Sequence, residues 1–283
     1  MQRFHLSLTA ALACVVAIVD APLHAALIVN FDADSYASTG PAGNWTDSVD
    51  GSTALVVGEP HVVKDFVGFR YVKFDGDDHF DAIEPIAGLN QWSQTVVFRT
   101  DSTGANGQDD FWRNSGLLGI DLAGSSRGDW SVGIQVTEEI NSGWGNPDRG
   151  TGGAFVGNSW VIATAWMDWV NNDGRIYLSS MAIDGHFHIG ADEVAQRNDM
   201  GNGTGGVEVN NFGLGYILGA NTHFRGDIAD IQIHDTLMTK GEIFDLHLQL
   251  ASQFVPEPAS VALFLTGLLS LLGFSLRCRR KLR

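Results

Sequence analysis

The chain has 283 residues, with 17 Lys and Arg against 33 Asp and Glu and a formal net charge of −16. The segment between residues 26 and 255 is more acidic still, with 11 basic and 31 acidic residues. Such a charge repels nucleic acid and anionic lipid headgroups and attracts divalent cations or basic partners. We therefore exclude nucleic acid as a partner and a membrane-surface role for this segment.

The first 25 residues have the pattern of a secretory signal peptide. Arg3 precedes an apolar run that ends at Val19, and small residues follow at Ala21 and Ala25. Both cysteines lie outside the segment 26–255, so disulfide and thiolate chemistry are absent from it. We predict export through the inner membrane and one domain over residues 27–254, which is long enough to rely on a single hydrophobic core.

Short apolar runs separated by Gly, Asn and Asp predict an antiparallel all-β domain. The predicted strands are 27–31, 54–57, 71–74, 95–99, 117–122, 130–136, 160–169, 175–183 and 227–234. Asp75-Gly76 and Asn172-Asp173-Gly174 predict hairpin turns, because these residues tolerate positive φ. The polar stretches 101–114, 138–158 and 192–211 are predicted surface loops, where binding sites are commonly built.

One helix is predicted, with its start at Thr239. The Thr239 side chain can cap the first turn while Glu242, three residues on, reaches back, which makes a capping box. Ile243, Leu246 and Leu250 then fall on one face at helical spacing. We expect this face to pack on the predicted β-domain, which would be a β-sandwich.

Several motifs in the predicted domain 27–254, called the body below, resemble those of a known protein family. They are Trp45-Thr46-Asp47-Ser48, the stretch 72–78, the stretch 160–165, and Phe224, Gly226, Ile228, Ile231 and Ile233 in a closing F-x-G-x-I-x-x-I-x-I pattern. The body resembles the laminin G-like group of the concanavalin A-like lectin/glucanase superfamily. This resemblance implies an antiparallel jelly-roll β-sandwich, which hosts lectins, enzymes and adhesive modules alike.

The C-terminal tail combines a short motif, an apolar run and a basic end. The motif is Val255, Pro256, Glu257 and Pro258, and the basic end includes Arg277, Arg279 and Arg280. The run 259–276, at about 1.5 Å per residue, makes a helix of roughly 27 Å, close to the ~30 Å hydrocarbon core of a bilayer. We predict one transmembrane helix over 259–276 with its basic end in the cytoplasm.

The tail also resembles the PEP-CTERM protein-sorting signal, which would occupy residues 255–283. The resemblance implies recognition and cleavage by an exosortase-type sorting enzyme. The helix would then be a transient inner-membrane anchor, and the protein would end in the cell envelope or an extracellular matrix.

Two groups of residues are candidate sites in the body. Asp75, Asp77 and Asp78 place hard oxygen ligands at short spacing, which Ca²⁺ prefers, and the related domains often carry one Ca²⁺. The alternative is an ordinary solvated turn. Trp112 and Trp144 stand in polar, Gly- and Asn-rich stretches, where an indole can stack on a sugar ring. Trp160, Trp166 and Trp169 lie in a predicted strand and are expected mainly in the core.

Catalytic motifs are absent from the sequence. The glucanases of the resembled superfamily carry E-x-D-x-E, which points three carboxylates into one cleft, and this chain has no such run. We therefore predict no enzymatic activity and favour a lectin-like domain that binds carbohydrate or exopolysaccharide. The alternatives are a structural matrix protein that makes protein contacts only and a divergent glycoside hydrolase.

Overall fold

A computed structural model describes residues 24–65, 68–100, 113, 115–122, 128–135, 139–145, 150–181, 187–197, 206–220 and 222–254. The predicted sorting signal 255–283, including its transmembrane helix 259–276, lies outside these residues, as does the predicted signal peptide up to residue 23. In the part that is described, no helix is both long enough and apolar enough to cross a membrane.

The described residues form β-strands, one short 3₁₀ turn at Ala33–Ser35 and one α-helix. The strands are β1 (Leu27–Asp32), β2 (Gly40–Pro41), β3 (Trp45–Thr46), β4 (Thr53–Val57), β5 (His61–Lys64), β6 (Arg70–Asp75), β7 (His79–Ile83), β8 (Gln91–Arg99), β9 (Ser115–Ile120), β10 (Trp130–Gln135), β11 (Glu139–Trp144), β12 (Gly150–Ala154), β13 (Val161–Asp168), β14 (Asp173–Met181), β15 (Phe187–Arg197), β16 (Asn211–Leu214), β17 (Tyr216–Ile217), β18 (Thr222–His223) and β19 (Arg225–His234). The helix α1 spans Lys240–Ser252.

Two antiparallel sheets make up the domain. The large sheet has the order β15-β14-β13-β8-β19-β6-β5-β2, with β1 paired to the second half of β19. The small sheet has the order β12-β11-β10-β9-β16-β7-β4-β3, and β17 and β18 form a separate short ribbon. The predicted all-β sandwich is therefore confirmed.

The main core lies between the inner faces of the two sheets. Phe74 and Phe98 from the large sheet join Phe80 and Trp130 from the small sheet in one buried cluster. Alternation along each strand produces this arrangement, since every second side chain of a strand faces the same side. At about 25 cal/mol per Å² of apolar surface, burial of these large side chains is the main stabilising contribution to the fold.

The helix α1 covers part of the outer face of the large sheet. It begins with the predicted capping box, in which Thr239 and Glu242 satisfy each other's backbone N–H groups. Ile243, Leu246 and Leu250 pack in a second apolar cluster with residues such as Trp160. The predicted helix and its packing face are therefore confirmed.

The predicted loop 138–158 is wrong for two of its segments. Residues 139–144 and 150–154 were placed in a loop because the stretch 138–158 is rich in Gly, Asn and Asp, but they form β11 and β12 at the edge of the small sheet. Ile140, Ser142 and Trp144 alternate along β11 and therefore share one face. Ile140 and Trp144 belong to the main core, and Ser142 Oγ lies 3.9 Å from Met167 Sδ. Packing has thus overridden the local turn signal.

The other predicted loops and turns have mixed outcomes. Residues 192–197 continue β15, although the prediction placed them in a loop, and of the stretch 101–114 only Arg113 is described. The hairpin at Asn172 is confirmed, with φ of 58° at that residue between β13 and β14. The Asp75-Gly76 turn has φ of 108° at Gly76, but it connects β6 of the large sheet to β7 of the small sheet and is not a hairpin.

Candidate functional site

A cleft lies on the outer face of the large sheet, beside the apolar cluster under α1. Strand β6 contributes Tyr71, Lys73 and Asp75, which alternate along the strand and therefore share one face. The cleft has a volume of about 480 Å³. Its lining comprises Tyr71, Lys73, Phe74, Asp75, Arg99, Thr100, Asn158, Arg225, Gly226 and Asp227.

The register of three neighbouring strands sets a row of alternating charge across the cleft. Asp227 on β19 is paired with Lys73 on β6 at one side and with Arg99 on β8 at the other. Directly opposed side chains in a sheet are close enough to interact, so the order basic, acidic, basic is favourable. The Arg99 guanidinium donates through Nε and Nη2 to Asp227 Oδ2, at 2.9 and 2.5 Å.

Two aromatic rings hold the Arg99 guanidinium in place. Its central carbon lies 4.8 Å from the ring centre of Trp160 and 5.3 Å from that of Tyr71. The planar guanidinium is suited to such contacts with aromatic rings. Burial raises the pKa of the Tyr71 hydroxyl, and the nearby Asp227 charge acts in the same direction. The phenol is therefore neutral at physiological pH and can both donate and accept hydrogen bonds.

The rim of the cleft is polar and exposed. Lys73, Asp75, Arg225 and Asn158 are all exposed to solvent. Two hydrogen bonds fix this rim to the sheet: Thr100 Oγ1 donates to the Arg225 carbonyl at 2.7 Å, and Asn158 N donates to the Thr100 carbonyl at 2.8 Å. The rim thus presents donors and acceptors on a rigid backbone.

The predicted calcium residues Asp75, Asp77 and Asp78 do come together in the β6–β7 turn. One carboxylate oxygen of each lies within 4.8 Å of the others. However, Asp78 Oδ1 accepts from Glu59 N at 2.6 Å and Asp78 Oδ2 accepts from Asp75 N at 3.4 Å. These backbone contacts also fit a solvated turn, so ion binding here stays a prediction.

The carboxylates of this turn influence one another. Hydrogen bonding with Asp77 lowers the pKa of Asp75, and the same contact raises the pKa of Asp77. Burial raises the pKa of Asp78. Asp75, which also lines the cleft, is therefore ionised at neutral pH and can act there only as an acceptor.

The two predicted ligand-binding tryptophans have different outcomes. Trp112 lies outside the described residues. Trp144 does not lie in a loop: it ends β11, is 0% exposed, and packs with its ring centre 6.3 Å from that of Trp169. An indole in this position offers no free face to a sugar ring. The expected loop position is corrected because the flanking small residues form strands.

The sequence analysis missed the cleft and a second acidic group. The cleft residues Lys73, Arg99 and Asp227 are far apart in the chain and meet only through strand pairing. The acidic group consists of Asp47, Asp50 and Glu84, each with one carboxylate oxygen within 4.8 Å of the others. Asp47 lies in a motif of the resembled family, but no spacing rule connects it to Glu84.

The sequence matches no family model, and a search of curated proteins likewise gives no match. Solved structures share the fold. Domain 4 of AbnA, a GH43 extracellular arabinanase from Geobacillus stearothermophilus, in complex with arabinotriose, has a TM-score of 0.54 and 14% identity over 79% of this chain and 99% of that one.

Two other structures align to a similar extent. Trypanosoma rangeli sialidase in complex with sialic acid has a TM-score of 0.53 and 15% identity over 79% of this chain and 33% of the sialidase. The binding domain of botulinum neurotoxin DC in complex with rat synaptotagmin II has a TM-score of 0.54 and 14% identity over 79% of this chain and 52% of that one. This chain thus spans a third of the sialidase and about half of the toxin domain. At these identities the comparisons support the β-sandwich fold.

Proposed function

We propose that the protein is a non-catalytic, lectin-like module that binds a glycan in the cleft between β6, β8 and β19. The observation that carries this proposal is the cleft itself, where a rigid aromatic and guanidinium floor is surrounded by exposed donors and acceptors. Carbohydrate sites need such a combination, because a sugar ring has apolar faces and a rim of hydroxyl groups.

The chemistry of the rim favours a neutral glycan. Lys73, Arg225 and Asn158 can donate to hydroxyl oxygens, and the Asp75 carboxylate can accept from hydroxyl groups. The strongly acidic body repels a polyanion at long range. Binding of a neutral sugar depends little on screening, so we expect it to persist at about 0.5 M salt, where the Debye length is only a few Å.

The fold comparisons support the proposal without identifying the sugar. A domain of the same fold was solved with arabinotriose, and a longer protein that includes this fold was solved with sialic acid. The laminin G-like resemblance in the sequence agrees with a binding role. Because this fold hosts many activities, the cleft and not the fold carries the proposal.

A catalytic role is less well supported by the same cleft. Two carboxylates line it, and a glycosidase would need one of them to be a general acid with a raised pKa. The pKa of Asp75 is lowered, and Asp227 accepts two hydrogen bonds from Arg99. We therefore propose that the domain does not cleave glycans.

The proposed location is outside the inner membrane. The N-terminal signal pattern and the resemblance of residues 255–283 to a PEP-CTERM signal support export, transient anchoring and release by an exosortase-type enzyme into the envelope or extracellular matrix. Mass spectrometry of the mature protein should find a C-terminus near Pro258. Intact Arg283 on most molecules would contradict release.

Pull-down of the full-length protein on neutral polysaccharides tests the binding role. We expect retention at both 0.05 and about 0.5 M NaCl, with no reducing sugar released on prolonged incubation. Absence of binding to every polysaccharide, together with protein partners in the matrix, would support the structural alternative. Release of reducing sugar that a single carboxylate substitution abolishes would support the hydrolase.

A further inference from the structure

A second group of carboxylates is located where the two sheets meet, at the opposite end of β7 from Asp75, Asp77 and Asp78. Asp47 and Asp50 belong to the loop between β3 and β4, and Glu84 directly follows β7. Asp47 Oδ1 also accepts from Asn30 N in β1 of the large sheet at 3.0 Å. The group therefore connects the two sheets of the sandwich.

Two of the three carboxylates are buried and incompletely satisfied. Asp47 and Glu84 are each 1% exposed. Their second oxygens, Asp47 Oδ2 and Glu84 Oε2, are buried without a hydrogen-bond partner in the described structure. Among the residues that the structure describes, no Lys, Arg or His forms an ion pair with Asp47, Asp50 or Glu84. Buried, unpaired carboxylates are costly unless something compensates their charge.

We propose that Asp47, Asp50 and Glu84 bind a divalent cation, with Ca²⁺ as the ion that this ligand set favours. One oxygen from each carboxylate already lies within 4.8 Å of the others, a span that one ion can bridge. Ca²⁺ takes six to eight oxygen ligands at about 2.3–2.6 Å in flexible geometry, and water completes sites with few protein ligands. The exposed Asp50 leaves the site accessible from solvent.

The electrostatics of the group agree with a cation. Burial raises the pKa of Glu84 to about 7, and the charges of Asp47 and Asp50 contribute in the same direction. A hydrogen bond from Ser52 Oγ to Glu84 Oε1, at 2.5 Å, opposes this shift only in part. A bound cation would offset the repulsion among the three carboxylates. Its role would be structural, because it would connect the β3–β4 loop to β7.

This group differs from the three aspartates of the β6–β7 turn. In the turn, Asp75 and Asp77 are exposed and both oxygens of Asp78 accept backbone N–H groups. At Asp47 and Glu84, one buried oxygen of each carboxylate has no such partner in the described residues. The β6–β7 turn is therefore a matched control. It also has three clustered carboxylates, but it lacks the unsatisfied buried oxygens of Asp47 and Glu84.

Calorimetric titration of the full-length protein with CaCl₂ tests the proposal. The protein is purified in a mild detergent because of the apolar run 259–276, treated with EDTA and dialysed into metal-free buffer. We expect saturable binding and a rise in Tm of about 5–10 °C when Ca²⁺ is present at about 100 times its Kd. Absence of saturable Ca²⁺ binding by the native chain would overturn the proposal without reference to any variant.

Three variants locate the ion. Glu84→Gln and Asp50→Asn should each weaken Ca²⁺ binding about tenfold or more, and Asp50 is exposed, so its substitution should leave folding intact. Asp77→Asn should leave this binding unchanged. Loss of all Ca²⁺ binding in Asp77→Asn, with native affinity in Asp50→Asn and Glu84→Gln, would place the ion in the β6–β7 turn and overturn the proposal.

Discussion

At the residue scale, a chain of buried polar groups stabilises the contact between α1 and the large sheet. His247 on the helix is fully buried, with Nε2 2.9 Å from Thr164 Oγ1 and Nδ1 2.8 Å from Ser179 Oγ. Thr164 Oγ1 is in turn 2.7 Å from Thr95 Oγ1. Hydroxyl groups can donate or accept, so they satisfy a neutral imidazole without a charged partner.

Burial lowers the pKa of His247 from 6.5 to about 3, which predicts a loss of stability in acid. Between pH 6.5 and 3 the imidazole of His247 binds a proton more tightly in the unfolded chain than in the folded protein. The stabilisation that the neutral, buried His247 contributes is therefore complete above pH 6.5 and decreases as the pH falls. At about 1.4 kcal/mol per pKa unit, the loss by pH 4 is on the order of 3 kcal/mol. Urea denaturation at pH 7 and pH 4 measures it.

The variant His247→Gln is the control for this pH effect. Glutamine can keep hydrogen bonds to the hydroxyls but does not titrate, so its stability should fall less between pH 7 and pH 4 than that of the native protein. An equal fall in both proteins would contradict the assignment to His247.

Asp230 provides a prediction of opposite sign. Its pKa is raised well above 3.8, first by burial and then by the charge of Asp32, its paired residue on β1. A raised pKa in the folded state means that stability is lost as the pH rises above the unfolded value. Asp230→Asn removes the titration, so it should stabilise the protein at pH 7.5 by about 1–3 kcal/mol and change it little at pH 4.

Chemical denaturation of native and Asp230→Asn protein at the two pH values checks this effect. Asp235→Asn is a matched control, because Asp235 lies just after the same strand but is only half-buried. Equal stability of native and Asp230→Asn protein at pH 7.5 would contradict the prediction, because it would show that other interactions offset the cost of burying the Asp230 carboxyl.

At the element scale, β19 organises both the sheet and the cleft. It pairs with β6, β8 and β1, and it contributes Arg225, Gly226 and Asp227 to the cleft lining. It also carries most of the F-x-G-x-I-x-x-I-x-I pattern. The glycine of that pattern has φ of 151°, and a Cβ placed there would meet the Arg99 carbonyl and the Phe224 ring.

Gly226→Ala should therefore destabilise the protein and disturb the cleft. We expect a loss of about 1–3 kcal/mol from backbone strain and close approach, measured by urea denaturation. Gly43→Ala is the control, because nothing lies within 4 Å of a Cβ built at Gly43. Similar stability of the two variants would contradict a special conformation at Gly226.

At the scale of the whole molecule, local patterns predicted the sandwich but not its binding surface. Long alternating strands such as β8 and β19, and the capping box of α1, are visible in the sequence because period and cap chemistry are local. Strands β11 and β12 were missed, since their Gly, Ser and Asn content is typical of loops and only packing makes them strands.

The cleft could not be predicted from the sequence either, because it depends on how distant strands pair. Lys73, Arg99 and Asp227 come from three strands, and only the register of the sheet brings them into one row. Asp75 was singled out, but as a metal ligand and not as part of a cleft. The burial of Trp144 likewise depends on the small sheet, which extends through a stretch that was predicted as a loop.

Binding of a panel of neutral oligosaccharides that includes arabinotriose, compared between native protein and three variants, tests the proposed function most directly. Lys73→Ala and Arg225→Ala remove charged donors from the cleft rim, and Lys240→Ala removes an exposed cation at the start of α1. Each rim substitution should weaken oligosaccharide binding about 10- to 100-fold, because it removes one charge-assisted hydrogen bond. The Lys240→Ala variant should bind with the affinity of the native protein. Native affinity in both rim variants, or no binding by the native protein, would contradict glycan recognition in this cleft.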